Sequence, residues 1–254
     1  MYLSSQIELE KSINKLKKEN NLIGVKSEFE AEGSSIDDIV RLKILATKVE
    51  TKLYVKIGGV EAKNDIYKCI ELGVDVIIAP MVETKFGLIK FLESIESLNL
   101  KKKPELAINI ETKSGYQNID EIIQSCLGKI SNITIGRSDL SLSYFNDKIT
   151  QNSIFITKLI LKISNKIKRL PIKLTVGGGI NKKTIEEFKK HKISNYVDNL
   201  ETRKLILSSK NMLKKNTLNK CINFETNYIL NKKEIYDLKL KSEIERISNL
   251  KTRK

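Results

Sequence analysis

Apolar residues fall into two patterns along this chain. Short, nearly continuous apolar runs are typical of buried strands, and longer segments with apolar residues at helical spacing are typical of amphipathic helices. The first pattern predicts strands at 22–29, 53–57, 76–79, 106–110, 133–135, 173–176 and 196–197. The second predicts helices at 6–20, 35–49, 61–72, 85–98, 119–127, 153–167 and 183–191. Strands and helices therefore alternate along most of the sequence.

This alternation predicts the fold class. Strand-helix-strand units place parallel strands side by side through right-handed crossovers. Seven strands are clear, and an eighth comes either from 203–207 or from the N-terminal edge. Seven or eight such units within about 200 residues favour a closed TIM-type (β/α)8 barrel. An open doubly wound sheet usually has a GxGxxG turn after its first strand, and the Glu-Ala-Glu-Gly segment at 30–33 does not fit that pattern.

The absence of a linker within the alternating pattern predicts the domain organisation. The sequence has only three prolines and no Gly/Ser-rich or Pro-rich linker in its middle. We therefore predict one barrel domain at 1–210, including an N-terminal helix, followed by a C-terminal helical extension at 211–254. An apolar stripe on that extension needs cover, which the barrel or a neighbouring subunit can supply.

Two carboxylates follow neighbouring predicted strands. Glu111 comes directly after the run at 106–110, and Asp139 follows the run at 133–135. Barrel enzymes keep their chemistry at this carboxyl end of the strands. Mg²⁺ is commonly held by one or two carboxylates together with waters and substrate oxygens, so the pair predicts a metal site with open positions. The alternative is that Glu111 caps a helix and Asp139 lies in a turn.

Composition and charge narrow the range of partners. The formal net charge is +15, but lysines are spread over every predicted helix, aromatic residues are 6% with no Trp, and no nucleic-acid-binding motif is present. We expect no nucleic-acid partner, with docking on phosphate polymers through the C-terminal lysines as an alternative. Three cysteines without CxxC spacing predict reduced thiols, and no run approaches the roughly 18 apolar residues of a membrane span. We expect a cytoplasmic protein with no membrane partner.

Five segments, in order, carry a resemblance to a known family. Each follows a predicted strand: VKSEFEAEG (25–33), KIGG (56–59), IAPMVET (78–84), INIET (108–112) and GRSDLS (136–141). Together they resemble the HpcH/HpaI aldolase and citrate lyase beta-subunit family, over roughly residues 22–207. Any one of these motifs is weak, and five in the family order make chance an unsatisfactory explanation.

The resemblance implies a chemistry. Members of this family have a pyruvate/phosphoenolpyruvate-type barrel, bind Mg²⁺ or Mn²⁺, and make or break a carbon-carbon bond next to the enolate of a 2-oxo acid or acyl-CoA. By resemblance, Glu111 and Asp139 match the family's metal-binding Glu and Asp. A divalent-metal-dependent lyase or aldolase is therefore expected. Because C-terminal helices of the family often pack across subunits, a homo-oligomer is expected as well.

The sequence departs from the family at two places. The hydroxy-acid aldolases usually offer a His after the first strand and an Arg after the second, where this chain has Glu28, Glu30 and Lys56. The only histidine, His191, lies among lysines on a predicted surface helix. Lys56 is thus a candidate for stabilising the enolate, or for pairing with Glu28 or Glu30. A barrel that has lost catalysis and serves as a binding or assembly protein is the alternative function.

Further candidates surround these positions. Glu28 and Glu30 lie two apart on a predicted strand, so they share a face, and either one can act as base or be a salt-bridge partner of Lys26 or Lys56. Arg137 is expected to meet a substrate carboxylate or phosphate, or to anchor its loop to Asp147 or Glu111. Substrate contacts are expected from four more residues: Gly136, Ser138, Gly178 and Gly179.

Overall fold

Eight strands form a closed barrel in the computed structural model, which describes residues 3–253. The strands are β1 (Leu22–Glu28), β2 (Lys52–Lys56), β3 (Val76–Ala79), β4 (Glu105–Ile110), β5 (Asn132–Gly136), β6 (Lys173–Gly177), β7 (Asn199–Glu201) and β8 (Leu205–Ser208). Each strand pairs with its neighbours in chain order, and β8 pairs with β1 to close the ring. The TIM-type barrel predicted from the sequence is confirmed.

Helices cover the outside of the barrel. They are α1 (Ser4–Asn20), α2 (Ile36–Lys48), α3 (Lys63–Glu71), α4 (Lys85–Glu96), α5 (Lys113–Gln117), α6 (Ile119–Cys126), α7 (Arg137–Leu142), α8 (Ile154–Ile167), α9 (Lys182–Lys190), α10 (Ser209–Met212) and α11 (Thr217–Lys251), with a 3₁₀ turn at Ile193–Asn195. Several begin at a polar cap, as at Ser35, whose hydroxyl accepts from the Asp38 amide while the Asp38 carboxylate accepts from the Ser35 amide. None of the helices in the described part of the chain is long and apolar enough to cross a membrane.

The last strand differs from the parallel pattern. Strands β1 to β7 are parallel, whereas β8 is antiparallel to both β7 and β1. Only residues 202–204, which we call the closing turn, join β7 to β8, and a parallel crossover needs a much longer connection. The predicted location of the eighth strand at 203–207 is close to the observed one. The predicted seventh strand at 196–197 is wrong, because Val197 packs in the core as part of a loop and β7 begins two residues later.

The strands bury apolar side chains on their outer face. Along their inner face the side chains change from apolar at the amino-terminal end to polar further along. Outward residues such as Val25, Val55 and Ile108 join the helices in one continuous core. Inside the barrel, a small apolar cluster occupies the amino-terminal end and includes Tyr54, Val76, Ile78, Ala107 and Ile206. Because side chains alternate along a strand, one strand supplies both faces of the barrel.

A row of polar side chains lies between β5, β6 and β7. Asn132 donates from Nδ2 to the Thr134 hydroxyl at 3.0 Å and accepts at Oδ1 from the Thr175 hydroxyl at 2.7 Å. Asn199 then donates to the Thr175 oxygen at 3.3 Å. These bonds satisfy groups that would be costly to bury without partners. They give the barrel interior a polar middle layer.

The C-terminal helix α11 packs against α1 over its first half. Cys221, Phe224 and Tyr228 are buried, and the Asn20 amide donates to the Thr217 hydroxyl at 2.9 Å. From Tyr236 onward the helix residues are exposed, including Leu240 among the apolar ones. The extension expected at 211–254 is thus mainly one long helix whose beginning lies on the chain's own barrel.

Arg137 serves the fold and does not face the barrel mouth. Its side chain is fully buried, and its guanidinium donates to the carbonyl oxygens of Gly177 at 3.0 Å, Gly178 at 2.5 Å and Gln151 at 3.1 Å, and to Asn152 Oδ1 at 3.1 Å. The predicted substrate contact of Arg137 is therefore corrected. Arg137 does anchor its loop, as the alternative prediction had it, but it does so through backbone carbonyls and not through Asp147 or Glu111.

The anchoring role of Arg137 predicts a stability effect. Arg137→Ala leaves buried carbonyl oxygens without donors, each at a cost of about 1–3 kcal/mol, so we expect the free energy of unfolding to fall by roughly 3 kcal/mol. Arg169→Ala removes an exposed guanidinium and should change that free energy by less than about 0.5 kcal/mol. Urea denaturation followed by circular dichroism measures both. An Arg137→Ala protein that unfolds at the wild-type midpoint contradicts the anchor.

Candidate active site

A cavity of about 410 Å³ opens at the carboxyl ends of the parallel strands, and we call it the mouth cavity. Most of the residues singled out in the sequence line it: Glu28, Lys56, Glu111, Gly136, Ser138, Asp139, Gly178 and Gly179. It is also lined by Lys26, Asn109, Glu201 and Arg203. The fold thus brings three of the candidate carboxylates, Glu28, Glu111 and Asp139, and the candidate Lys56 to one place.

Four charged side chains form a connected group at the base of the mouth cavity, which we call the mouth network. Lys26 Nζ lies 2.6 Å from Glu201 Oε1 and 3.0 Å from Glu28 Oε1, and Lys56 Nζ lies 3.2 Å from Glu28 Oε2. All four side chains are at most 14% exposed. The network therefore balances two buried positive charges with two buried negative ones.

The mouth network favours the charged forms of Lys26 and Glu28. Burial by itself would lower the pKa of Lys26, but the carboxylates of Glu201 and Glu28 raise it well above its usual range. Burial acts to raise the pKa of Glu28, and the Lys26 and Lys56 ammonium groups outweigh it, so that pKa is lowered. A carboxylate with a lowered pKa is a weak base, so the structure disfavours Glu28 as the proton acceptor.

Glu30 lies outside the mouth cavity, contrary to the expectation that it shares a face with Glu28. Strand β1 ends at Glu28, so the alternation does not continue to Glu30, which is exposed. A Cβ placed on Gly58 would be 2.9 Å from Glu30 Oε1, which locates this carboxylate beside the turn after β2. Glu30 as a catalytic base is therefore corrected by the geometry.

Glu111 is buried and held at both carboxylate oxygens. Oε1 accepts from the Met81 amide at 3.0 Å, and Oε2 accepts from Asn109 Nδ2 at 3.2 Å. Burial raises the pKa of Glu111, and the charge of Asp139 adds to this, while Lys56 and the two donors act against it. Lys56 and the two hydrogen-bond donors therefore do not fully offset the effect of burial on the Glu111 carboxylate.

Asp139 complements Glu111 at the next strand end. It lies in the first turn of α7 and is exposed to the mouth cavity, and its side-chain carboxylate accepts no hydrogen bond from any group within residues 3–253. Strands β4 and β5 pair directly, with Ile110 opposite Ile135, so the segments carrying the two carboxylates are adjacent. The helix-cap alternative for Glu111 does not hold, because the Thr112 hydroxyl caps α5.

The oxygen donors around Glu111 and Asp139 suit a divalent cation. Among the described residues, no three His, Cys, Asp or Glu side chains gather as a ligand group. Two carboxylates with room for water fit Mg²⁺ or Mn²⁺, which prefer oxygen ligands and commonly keep several waters. Asn109 Oδ1, buried and without a hydrogen-bond partner within residues 3–253, adds an unsatisfied oxygen close to Glu111. The donor set therefore fits such an ion.

Two glycines allow close packing of neighbouring groups at the site. At Gly136, an added Cβ would lie 2.5 Å from Glu111 Oε2, so only glycine leaves space for this carboxylate. Gly178 has φ +80°, and a Cβ there would lie 2.6 Å from the Ser138 amide. The turn after β6 thus packs onto the start of α7. Ser138 itself donates its hydroxyl to Gln151 Oε1 at 2.8 Å, which occupies the proton expected for a substrate.

Sequence reasoning missed Glu201 and Arg203 as site residues and treated Lys26 only as an ion-pair partner. Glu201 is buried, and its Oε2 has no hydrogen-bond partner within residues 3–253. The misplaced seventh strand hid Glu201, because a strand at 196–197 leaves this residue in a loop. A usable signal existed in the polar residues two apart, Asn199 and Glu201, directly before a charged turn. His191 lies at the C-cap of α9, outside the mouth cavity, as predicted.

Comparisons with known proteins bear on the family and the fold. Residues 34–153 match the family model of the HpcH/HpaI aldolase/citrate lyase family. Among the curated proteins, none matches the sequence significantly. Solved structures do match, and at identities this low they show the fold alone.

Three of those structures illustrate the likeness. A HpcH/HpaI aldolase/citrate lyase family protein from Burkholderia cenocepacia J2315 has a TM-score of 0.59 at 10% identity, covering 74% of this chain and 81% of that chain. A HpcH/HpaI aldolase from Desulfitobacterium hafniense DCB-2 has a TM-score of 0.60 at 10% identity, covering 80% and 83%. RipC from Yersinia pestis has a TM-score of 0.54 at 13% identity, covering 81% and 88%. The resemblance carried by the sequence motifs is confirmed over residues 34–153, which match the HpcH/HpaI aldolase/citrate lyase family model, and the solved structures show the same barrel.

Proposed function

We propose that this protein is a divalent-metal-dependent carbon-carbon lyase or aldolase that acts through the enolate of a small 2-oxo acid or acyl-CoA. The observation that carries the proposal is the convergence of Glu111, Asp139 and Lys56 on one cavity at the carboxyl ends of the strands. Two carboxylates supply metal ligands, and a lysine supplies a fixed positive charge. The aldolase/citrate lyase-like family match supports the same reaction class.

The metal site in this proposal consists of Glu111 and Asp139. Mg²⁺ or Mn²⁺ held there would supply Lewis acidity toward a substrate carbonyl and so favour negative charge on its oxygen. The Met81 amide and Asn109 fix the direction of the Glu111 carboxylate. The Asp139 carboxylate, which accepts no hydrogen bond within residues 3–253, can adjust to the ligand.

Lys56 stabilises the negative charge that develops on the substrate oxygen. Its side chain is 14% exposed and its ammonium is held 3.2 Å from Glu28 Oε2, so its position is fixed before substrate arrives. Glu28 thus positions Lys56. An ammonium acts as a point charge and lacks the two-pronged geometry of arginine, which leaves substrate orientation to other groups.

Glu201 is the residue we assign to proton transfer at the substrate carbon. Lys26 holds its Oε1 at 2.6 Å, and Oε2 is left without a partner among the described residues. In the cleavage direction, an oriented carboxylate with one open oxygen can take the proton of the substrate hydroxyl as the carbon-carbon bond breaks and deliver a proton to the enolate carbon; in the reverse direction it takes a proton from the carbon next to the carbonyl. The size of the mouth cavity, about 410 Å³, suits a small acid or the acyl end of a thioester.

The metal assignment predicts ligand-dependent binding. Calorimetry with Mg²⁺ or Mn²⁺ should show binding to the wild-type protein, and Glu111→Gln or Asp139→Asn should weaken it roughly tenfold or more, because each removes an anionic ligand. Glu121→Gln and Asp147→Asn make the same changes at exposed positions outside the mouth cavity and serve as controls. Unchanged affinity in both ligand variants contradicts the assignment.

The role of Lys56 predicts a loss of enolisation. In deuterated solvent with Mg²⁺ or Mn²⁺, NMR should detect exchange of the methyl protons of pyruvate or the α-protons of an acyl-CoA. Exchange should fall by on the order of a hundredfold in Lys56→Ala, the scale of losing a preorganised charge-stabilising group, and Lys56→Arg should retain most of it. Lys52→Ala, at the opposite end of β2, is the control. Metal binding without exchange of either substrate supports the non-catalytic barrel instead.

The assignment of Glu201 predicts a defect in proton transfer with intact metal binding. Glu201→Gln keeps an acceptor for Lys26 but removes the basic oxygen, so exchange should slow by about 10²- to 10⁴-fold. The metal affinity measured by calorimetry should stay at the wild-type value. Glu105→Gln, at the amino-terminal end of β4, changes an exposed carboxylate in the same way and should leave exchange intact. Wild-type exchange in Glu201→Gln removes this residue from the mechanism.

A further inference from the structure

We propose that the closing turn carries a binding site for a second acidic group of the substrate, with Arg203 as the residue that binds it. This inference rests on the proposed function, because it assumes that the reacting end of the substrate lies beside Glu111 and Asp139. It assigns a substrate class: a short 2-oxo acid with a carboxylate or phosphate at its far end.

A second cavity adjoins the first at the closing turn. It measures about 260 Å³, and we call it the side cavity. Lys204, Tyr228 and Lys232 are among the residues that line it. Ala31, Arg203 and Glu225 line both cavities, so Arg203 stands where one passes into the other. A substrate longer than pyruvate, with its reacting end in the mouth cavity, can place its other end there.

Arg203 differs from the other cations of the two cavities in having no anionic partner. Lys26 and Lys56 belong to the mouth network, Lys204 Nζ lies 2.5 Å from Glu32 Oε2, and Lys232 Nζ lies 2.8 Å from Asp38 Oδ2. Within residues 3–253, no carboxylate lies within ion-pair distance of the Arg203 guanidinium, and it donates no hydrogen bond. Its charge and its five donors are available to a ligand.

The backbone around Arg203 is held in place. The Thr202 amide donates to the Leu205 carbonyl at 2.9 Å, and the Lys204 amide donates to Glu225 Oε1 at 2.9 Å. The Lys204 carbonyl accepts from the Lys26 amide at 2.8 Å. Because both neighbours of Arg203 are fixed, binding an anion there orders little more than one side chain. Such preorganisation favours affinity.

The chemistry of guanidinium selects the ligand. Its planar fork of N–H donors matches the oxygen pair of a carboxylate or phosphate, which it binds through two parallel hydrogen bonds. In the proposed reaction Lys56 and the metal ligands engage the carbonyl end of the substrate. The exposed Arg203 side chain then recognises the distal acid, whereas a neutral end offers its charge no partner.

Three substrates of equal length test the proposal. They are 2-oxohexanoate with a methyl end, 2-oxoadipate with a carboxylate end, and 5-phosphono-2-oxopentanoate with a phosphonate end. For each, exchange of the C3 protons in deuterated solvent gives kcat and KM, and calorimetry with Mg²⁺ gives a Kd that does not depend on turnover. We expect at least one of the two diacids to have a KM and Kd roughly tenfold or more below those of the methyl compound, the scale of a hydrogen bond to a charged group. The comparison between the diacids distinguishes carboxylate from phosphate.

Variants separate a specific site from general attraction by a chain of formal charge +15. Arg203→Gln should bring the KM and Kd of the preferred diacid close to those of 2-oxohexanoate, while its kcat changes far less. Arg203→Lys should keep part of the preference. Arg169→Gln removes the same charge at an exposed position outside both cavities and should keep the full preference.

The outcomes distinguish the two proposals. If no substrate exchanges protons but the diacid binds more tightly in an Arg203-dependent way, the site stands and the enolate chemistry fails. If exchange occurs and the wild-type protein does not discriminate between diacid and methyl compound, the site fails and the enolate chemistry stands. If Arg203→Gln and Arg169→Gln retain the same preference for the diacid over 2-oxohexanoate, the proposed site is also overturned. A wild-type protein that binds none of the three acids overturns it as well.

Discussion

The ammonium of Lys26, buried between the carboxylates of Glu28 and Glu201, is the interaction on which the rest of the site depends. It joins β1 to β7 across the seam where the barrel closes, and Glu28 extends the connection to Lys56 on β2. A buried charge is tolerable only when its partners are in place. The seam therefore fixes the position of three other charged groups at once, and with them the shape of the mouth cavity.

The closure by an antiparallel strand has consequences for function. A parallel eighth strand would be reached through a helix and would begin at the opposite end of the barrel. Here β7 and β8 form a hairpin, so the closing turn lies at the mouth, with Arg203 at its centre. The Lys26 amide donates to the Lys204 carbonyl in that turn, so the residue that organises the mouth network also holds the turn. The same hairpin therefore closes the barrel and positions the proposed substrate site.

The inner faces of the strands show how a barrel accommodates a polar site without losing its stability. The outer faces and the helices supply one continuous apolar core, which provides the burial that folding needs. The inner faces are then free to carry Asn132, Thr134 and Thr175 in a hydrogen-bonded layer below the charged groups. Polar groups that satisfy one another in this way tolerate burial and keep the cavity floor rigid.

The sequence by itself determined the alternating pattern of the barrel, the places of β1 to β6, and the two carboxylates at the ends of β4 and β5. Apolar runs and helical spacing are local properties, and the end of a buried strand locates the residues that follow it. Tertiary structure alone decided where side chains beyond the strands point. Arg137 follows a strand just as Glu111 does, yet it turns inward to the carbonyls of Gly177 and Gly178. Glu201 and Arg203 enter the site because a three-residue connection reverses the chain, and such long-range closure depends on pairings with β1 that no local pattern encodes.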